Sequence, residues 1–112
     1  MKTLVQEAIF LHRKDFAHKV LFADILYLVA DNSTTTVFTA QQGKFSVSVN
    51  LKTFLAQVHS PTLVRVHRSY AVNLNQVTGI DKRMLYIQEK LIPVSQSYHA
   101  QLKGAFFMIK TK

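Results

Sequence analysis

The sequence contains no cysteine, which excludes a disulfide framework and a thiolate metal site. It has only three glycines and two prolines, and 48% of its residues are hydrophobic, so extended disorder is not expected. The longest apolar run, residues 25–30, is too short to cross a bilayer, and no signal peptide is recognisable after Met1. These absences predict a single folded domain of 112 residues in the cytoplasm, without membrane association.

Acidic residues are scarce in this chain. Six Asp and Glu stand against fourteen Lys and Arg, which gives a formal net charge of +8. A small domain with this excess most often binds a polyanion such as DNA, RNA or an anionic membrane. Charge alone leaves two alternatives open, namely simple solubility and adaptation to an acidic protein partner.

The hydrophobic patterns predict a chain made mostly of short strands. The predicted strands cover residues 8–11, 17–23, 25–30, 35–39, 45–49, a stretch that begins at 63, 77–81, 84–88 and 91–94. A helix is predicted at residues 51–58, because apolar side chains recur at the spacing of one helical face and Asn50 is a good N-cap. A second helix is predicted after Ser95, and residues 102–109 are either its end or an apolar tail that packs on a partner; the apolar residues 106–109 are either core or interface. The expected fold class is mainly β, a sandwich of about nine or ten short strands with one or two short helices.

Residues 63–75, LVRVHRSYAVNLN, form the most informative stretch. Two valines alternate with Arg65 and His67, which is the pattern of a half-buried strand. A core strand would therefore carry Arg65, His67 and Arg68 to one end, where they form a rigidly held basic edge.

Three motifs in this chain resemble one known family. Residues 65–74 read RVHRSYAVNL, residues 92–98 read IPVSQSY, and residues 24–31 read DILYLVAD. In this order and spacing they resemble the LytTR family of bacterial DNA-binding domains over roughly residues 16–102. The resemblance implies a LytTR-like β-sandwich and sequence-specific binding of double-stranded DNA by a bacterial transcription regulator or its excised output domain. In that family loops, and not a helix, enter the major groove at direct repeats, usually with two copies on a bent duplex.

The resemblance also implies partners. Many members of the family are response regulators of two-component systems with a receiver domain, and no such domain is expected within these 112 residues. The partners implied are direct-repeat promoter DNA, a second copy of the chain on that DNA, and a receiver domain or sensor supplied elsewhere. No cofactor is expected.

Carried over to this sequence, the resemblance indicates base-reading residues in three segments. With their neighbours in the central motif, the candidates are Asn32, Thr34, Thr35 and Thr36; Arg65, His67, Arg68 and Ser69; and Gln96 and Ser97. Arg68 is the main candidate, because a guanidinium can bind guanine O6 and N7 with two hydrogen bonds; a phosphate contact and a surface ion pair are the alternatives. Lys82 and Arg83, in a predicted hairpin turn, are expected to contact phosphates and contribute affinity without much specificity.

Other functions have weaker signals. Ser95, Ser97 and His99 lack a paired acid or an oxyanion-hole motif, so the chain is not expected to be an enzyme. Five histidines at irregular positions, without cysteine, do not predict a metal site. The alternative to DNA binding is a non-enzymatic β module that binds RNA or an acidic protein. The sequence lacks the interleaved aromatic and basic stripe by which RNA-binding sheets are recognised.

Overall fold

Ten strands and two α-helices make up the fold of residues 7–106 and 108–111, the part of the chain that the computed structural model describes. The first five strands are β1 (Ala8–Arg13), β2 (Phe16–Leu21), β3 (Ile25–Asp31), β4 (Thr34–Thr39) and β5 (Lys44–Val47). Helix α1 (Leu51–Val58) follows them. The remaining elements are β6 (Leu63–His67), β7 (Tyr70–Asn73), β8 (Gly79–Ile80), β9 (Met84–Ile87), β10 (Lys90–Pro93) and helix α2 (Gln96–Gly104).

Five antiparallel strands form a central sheet in the order β5–β4–β3–β7–β6, and both of its faces are buried. The β1–β2 hairpin and α1 cover one face, where Leu28 and Phe54 belong to the same buried cluster. A three-stranded sheet, β10–β9–β8, and α2 cover the other face, where Val72 and Leu102 are buried. This arrangement confirms the predicted β-dominated class with two short helices. No helix within the described residues has the length and apolar character needed to cross a membrane.

Helix α1 begins and ends where the sequence predicts. The Asn50 side chain accepts a hydrogen bond from the backbone N–H of Thr53 at 2.8 Å, which caps the first turn. Leu51 and Phe54 are buried against the sheet, and His59 ends the helix in the left-handed conformation, with φ 53°.

Helix α2 has Ser95 at its predicted N-cap position. The Ser95 hydroxyl makes no capping hydrogen bond to the helix backbone and lies 3.4 Å from the hydroxyl of Ser97. The helix is therefore held mainly by packing. Leu102 is buried in the second core, the buried cluster between the central sheet and the three-stranded sheet.

The apolar tail predicted at residues 106–109 divides into two parts. Phe106 packs against the second core, whereas Met108 and Ile109 are 54% and 71% exposed. Phe107 lies outside the described residues.

Residues 63–75 form a hairpin: the strand predicted from Leu63 ends at His67, and a second strand follows the turn. Strands β6 and β7 pair antiparallel around a turn at residues 68–69. Arg65 and His67 pair with consecutive residues of β7, so the register shifts and Val66 forms a β-bulge. Because cross-strand partners share a face, Arg65 and His67 lie on opposite faces of the hairpin. Simple alternation predicts the same face for Arg65 and His67. That prediction is wrong because the bulge adds one residue between them.

Two boundaries in the three-stranded sheet also differ from the prediction. Strand β8 has two residues and not five, because the Asp81 carboxylate accepts backbone hydrogen bonds from Arg83 and Met84 and closes a turn at once. The β9–β10 turn lies at residues 88–89, one residue earlier than predicted, since Lys90 already pairs with Ile87.

Three of the hairpin turns contain a left-handed residue that is not glycine. Lys14, Asn32 and Gln88 have φ of 60°, 57° and 53°. Asn adopts this conformation readily, whereas it is uncommon for Lys and Gln. The chain thus reverses direction at β1–β2, β3–β4 and β9–β10 with only three glycines in its whole sequence.

A buried amide joins the central sheet to the segment that enters it. Asn73, only 1% exposed at the end of β7, donates from its side-chain nitrogen to the carbonyls of Phe22 at 2.9 Å and Ile25 at 2.8 Å. Its side-chain oxygen accepts from the backbone N–H of Asn75 at 3.1 Å. One side chain therefore satisfies backbone groups at the start of β3 and just after β7.

We expect Asn73→Ala to lower the free energy of unfolding by about 2–3 kcal/mol, because the part-buried carbonyl of Phe22 and the buried carbonyl of Ile25 each lose the hydrogen bond from Asn73. Asn75→Ala is the matched control, since the Asn75 side chain is exposed and only its backbone contacts Asn73. Its effect should stay within about 0.5 kcal/mol. Urea unfolding followed by circular dichroism measures both, and equal effects of the two substitutions would contradict the assigned role.

Candidate nucleic-acid interface

Four loops meet at one end of the molecule, which we call the interface end: the turns at residues 32–33, 68–69 and 81–83, and the start of α2. The backbone N–H of Ala30 donates to the carbonyl of Ser69 at 2.8 Å, which continues the β3–β7 pairing up to the first two turns. These two hairpin tips therefore lie side by side.

Two further backbone hydrogen bonds bring the other loops to the same end. The N–H of Ser95 donates to the carbonyl of Val66 at 2.9 Å, which holds the start of α2 beside the β6 bulge. The N–H of Val94 donates to the carbonyl of Arg83 at 2.8 Å, which holds the β8–β9 turn beside the start of α2.

Arg13, at the end of β1, lies at the opposite end of the molecule. Arg13 donates from its guanidinium to the carbonyls of Gln42 at 2.8 Å and Lys44 at 3.0 Å, which ties the end of β1 to the β4–β5 turn. Its guanidinium carbon lies 4.0 Å from the centre of the Phe45 ring. Arg13 therefore holds the hairpin in place as well as contributing charge.

The first of two grooves at the interface end is the Arg68 groove, with a volume of about 330 Å³. Four residues predicted from the sequence line it, namely Asn32, Arg65, Arg68 and Ser69. The start of α1 supplies Asn50, Leu51 and Lys52. Asn32 and Arg68 are exposed at the two hairpin tips.

The second groove is the His67 groove, with a volume of about 820 Å³. Four other residues predicted from the sequence line it, namely His67, Lys82, Arg83 and Gln96. The rest of its lining is Met84, Pro93, Val94, Ser95, His99 and Lys103. Because Arg65 lines one groove and His67 the other, and these two residues lie on opposite faces of the hairpin, the grooves lie on either side of the β6–β7 turn.

The charged side chains that line the two grooves are of one sign. Six Lys and Arg line the two grooves, and no carboxylate appears among their described lining residues: Lys52, Arg65, Arg68, Lys82, Arg83 and Lys103. Several cations held at fixed positions attract a polyanion, since its charges repeat along its length.

The guanidinium of Arg65 is hydrogen-bonded to the backbone of the β6–β7 turn. Its Nε donates to the carbonyl of His67 at 3.2 Å, and one terminal nitrogen donates to the carbonyl of Arg68. The guanidinium thus lies against the turn, while the side chain of Arg68 remains exposed at the tip. Of these two arginines, Arg68 has the accessible guanidinium.

The three threonines of β4 differ in accessibility. Thr35 is completely buried, and its hydroxyl donates to the carbonyl of Val49 at 2.8 Å, so its predicted contact with DNA is wrong for this conformation. Thr34 is half-buried and donates to the carbonyl of Asp31 at 2.9 Å, and Thr36 is also half-buried. Ser97 is exposed on the first turn of α2.

The grooves also contain basic residues that the sequence reasoning missed. Lys52 lies on α1, which carries no other basic residue, so the sequence gave no reason to select Lys52 as a DNA-binding residue. His99 and Lys103 follow Gln96 by three and seven residues, so all three share one face of α2. That spacing was visible in the sequence and would have identified them.

The Asp81 carboxylate shapes the turn that carries Lys82 and Arg83. One oxygen accepts from the backbone N–H groups of Arg83 at 2.9 Å and Met84 at 2.8 Å, and the other accepts from the Tyr86 hydroxyl at 3.3 Å. The two backbone hydrogen bonds are the main reason that the pKa of Asp81 lies below its usual value. No group of three or more His, Asp or Glu side chains is placed to hold a metal ion among the residues described.

Two comparisons with known proteins point to one family. A sequence model of the LytTr DNA-binding domain family matches residues 16–107. Among solved structures, a Bacillus cereus protein described as the "LytTr DNA-binding domain of putative methyl-accepting/DNA response regulator" is similar, with a TM-score of 0.73 and 26% sequence identity. The similarity covers 88% of this chain and 94% of that one.

We expect the ionised form of Asp81 to stabilise the fold at neutral pH. Because the pKa is lowered in the folded chain, this contribution is present above the pKa of an unfolded Asp, about 3.9, and is lost as the pH falls through the lower folded value. Asp81→Asn keeps an oxygen acceptor but does not titrate. The wild-type chain should therefore lose stability relative to Asp81→Asn between pH 5 and pH 2, measured by thermal unfolding at each pH; a constant difference would contradict the assignment.

Proposed function

Because the chain belongs to the LytTR family of DNA-binding domains, we propose that it binds double-stranded DNA sequence-specifically as part of a bacterial transcription regulator, through its interface end. The observation that carries the proposal is the pair of cationic grooves on either side of the β6–β7 turn. Nine of the twelve residues selected from the sequence either line these grooves or lie directly beside one: Asn32, Arg65, His67, Arg68, Ser69, Lys82, Arg83, Gln96 and Ser97.

In this proposal the β6–β7 turn enters the major groove and Arg68 contacts a base edge. A guanidinium there can donate two hydrogen bonds to guanine O6 and N7. Support comes from the exposure of Arg68 at a hairpin tip whose backbone is held by Arg65. Asn32, at the neighbouring tip, adds a carboxamide that can contact an adjacent base.

The His67 groove takes the phosphate backbone. Lys82, Arg83 and Lys103 supply cations, and Gln96 and Ser97 supply polar groups at the start of α2. Contacts of this kind fix the position of the protein on the duplex but carry no direct sequence information. Thr34 and Thr36 have a smaller part, because both are half-buried in β4.

We extend the proposal to the assembly, the cellular location and the partner that the resemblance to the family implies. They are two copies of the domain on direct repeats, a bacterial cytoplasm as the location, and a receiver domain or sensor that controls access to DNA. Two copies on repeated sites would double the small number of bases that a single hairpin tip can contact.

The test begins with duplexes selected from a randomised pool by the wild-type chain. Fluorescence anisotropy then compares the selected duplex with a scrambled duplex and an RNA duplex at two salt concentrations. We expect the selected duplex to bind about a thousandfold or more tightly than the scrambled one. Equal binding that fades with salt would mean a non-specific polyanion binder, and no binding at low salt would disprove the proposed function.

We expect Arg68→Ala to weaken binding to the selected duplex by about 1–3 kcal/mol and to relax the preference at one base position. Arg68→Lys is the matched variant, because it keeps the charge but cannot donate two hydrogen bonds in the same plane. It should show the same relaxed preference with a smaller loss of affinity. If Arg68→Ala weakens all duplexes equally, the residue contacts phosphate and not a base.

We expect Lys82→Ala to weaken every duplex and to reduce the slope of log affinity against log salt by about one. Lys19→Ala is the control, because it removes the same charge from an exposed position on the β1–β2 hairpin, beside the β4–β5 turn and away from the interface end. Lys19→Ala should leave the slope unchanged. The same slope for Lys82→Ala and the wild-type chain would remove Lys82 from the interface.

A further inference from the structure

The β6–β7 turn is held from two sides by side chains of its own strand. On one side, Arg65 donates to the carbonyls of His67 and Arg68. On the other, the ring nitrogen Nδ1 of His67 accepts a hydrogen bond from the backbone N–H of Ser69 at 3.0 Å. The backbone donor and acceptors nearest to Arg68 therefore have partners within the hairpin.

The β-bulge at Val66 makes this arrangement possible. Without it, Arg65 and His67 would project from the same face and only one side of the turn could be reached. The bulge shifts the register between them, so each side chain lies on a different face. The His67 ring is fixed further by an edge-to-face contact with Tyr70, with ring centres 5.6 Å apart.

The hydrogen bond made by His67 has the connectivity of an Asx-turn. In such a turn the side-chain oxygen of Asn or Asp accepts from the backbone N–H two residues later. Here an imidazole nitrogen has the same role over residues 67–69. A nitrogen that accepts carries no proton, so this contact fixes the tautomer with its proton on Nε2.

We propose that His67 is a positioning residue for Arg68: its Nδ1 holds the Ser69 N–H and thereby sets the turn conformation from which Arg68 contacts DNA. The inference deepens the proposed function and rests on it for the DNA step. The hydrogen bond itself belongs to the free protein. The role assigned to His67 is therefore different from the direct contact with DNA expected from its sequence position.

Two substitutions of His67 separate the acceptor from the ring. His67→Phe keeps a ring of similar size against Tyr70 but removes the acceptor. His67→Asn removes the ring but supplies an oxygen with Asx-turn connectivity. We expect His67→Phe to reduce the affinity ratio between selected and scrambled duplexes about tenfold or more, as Arg68→Ala does, and His67→Asn to keep the ratio within about threefold of wild type.

A double variant tests whether the effect passes through Arg68. Adding Arg68→Ala to His67→Phe should lower the ratio by no more than about twofold further, because a contact already lost cannot be lost again. Additive losses would overturn the proposal. An Asn variant as defective as the Phe variant would also overturn it, because the ring itself would then be what matters.

A measurement without DNA keeps the two proposals distinguishable. Hydrogen exchange of the Ser69 amide, followed by NMR on the full chain, should be slow in wild type and His67→Asn and at least about tenfold faster in His67→Phe. Equal exchange in all three would overturn the positioning role even if DNA discrimination is found. If the wild-type chain shows no sequence preference, the proposed function fails, and slow exchange restored by Asn would still establish the His67 contact.

Discussion

The antiparallel pairing of β3 with β7 is the contact on which the rest of the structure depends. It joins the β3–β4–β5 meander to the β6–β7 hairpin, with Leu28 opposite Ala71 and Val29 opposite Tyr70. Joined in this way, the strands form a sheet wide enough to be covered on both faces. The same pairing brings two hairpin tips next to each other, so that core formation and interface geometry have one cause.

Much of the fold could be predicted from the sequence, because the signals for β3, β4 and α1 are local. The β-bulge at Val66 could not, since it depends on the pairing of β6 with β7 and not on the residues of β6 alone. The error at Thr35 has a related cause. Residues 34–36 are all threonine, so nothing in their chemistry indicates which one faces the core, and the pairing with β5 decides it.

The candidate site was predictable where exposed motif residues coincide with strand ends, as at Arg68 and Lys82. Composition indicated the sign of the net charge, but not which basic side chains are free to contact a ligand. Arg13 and Arg65 both count toward the net charge, yet each directs its guanidinium to backbone carbonyls. An arginine that caps carbonyls adds to the field around the molecule while holding a loop in shape, and a sequence cannot separate these two roles.

The left-handed residues in the hairpin turns have a consequence for how the chain meets any ligand. Asn32 occupies a backbone region that most residues rarely adopt, and it is locked there by the pairing of β3 with β4. The conformational entropy of that tip is lost during folding and does not have to be lost again on binding. A ligand that docks on it therefore meets a preorganised surface, and association resembles the fitting of two rigid bodies more than the ordering of a flexible loop.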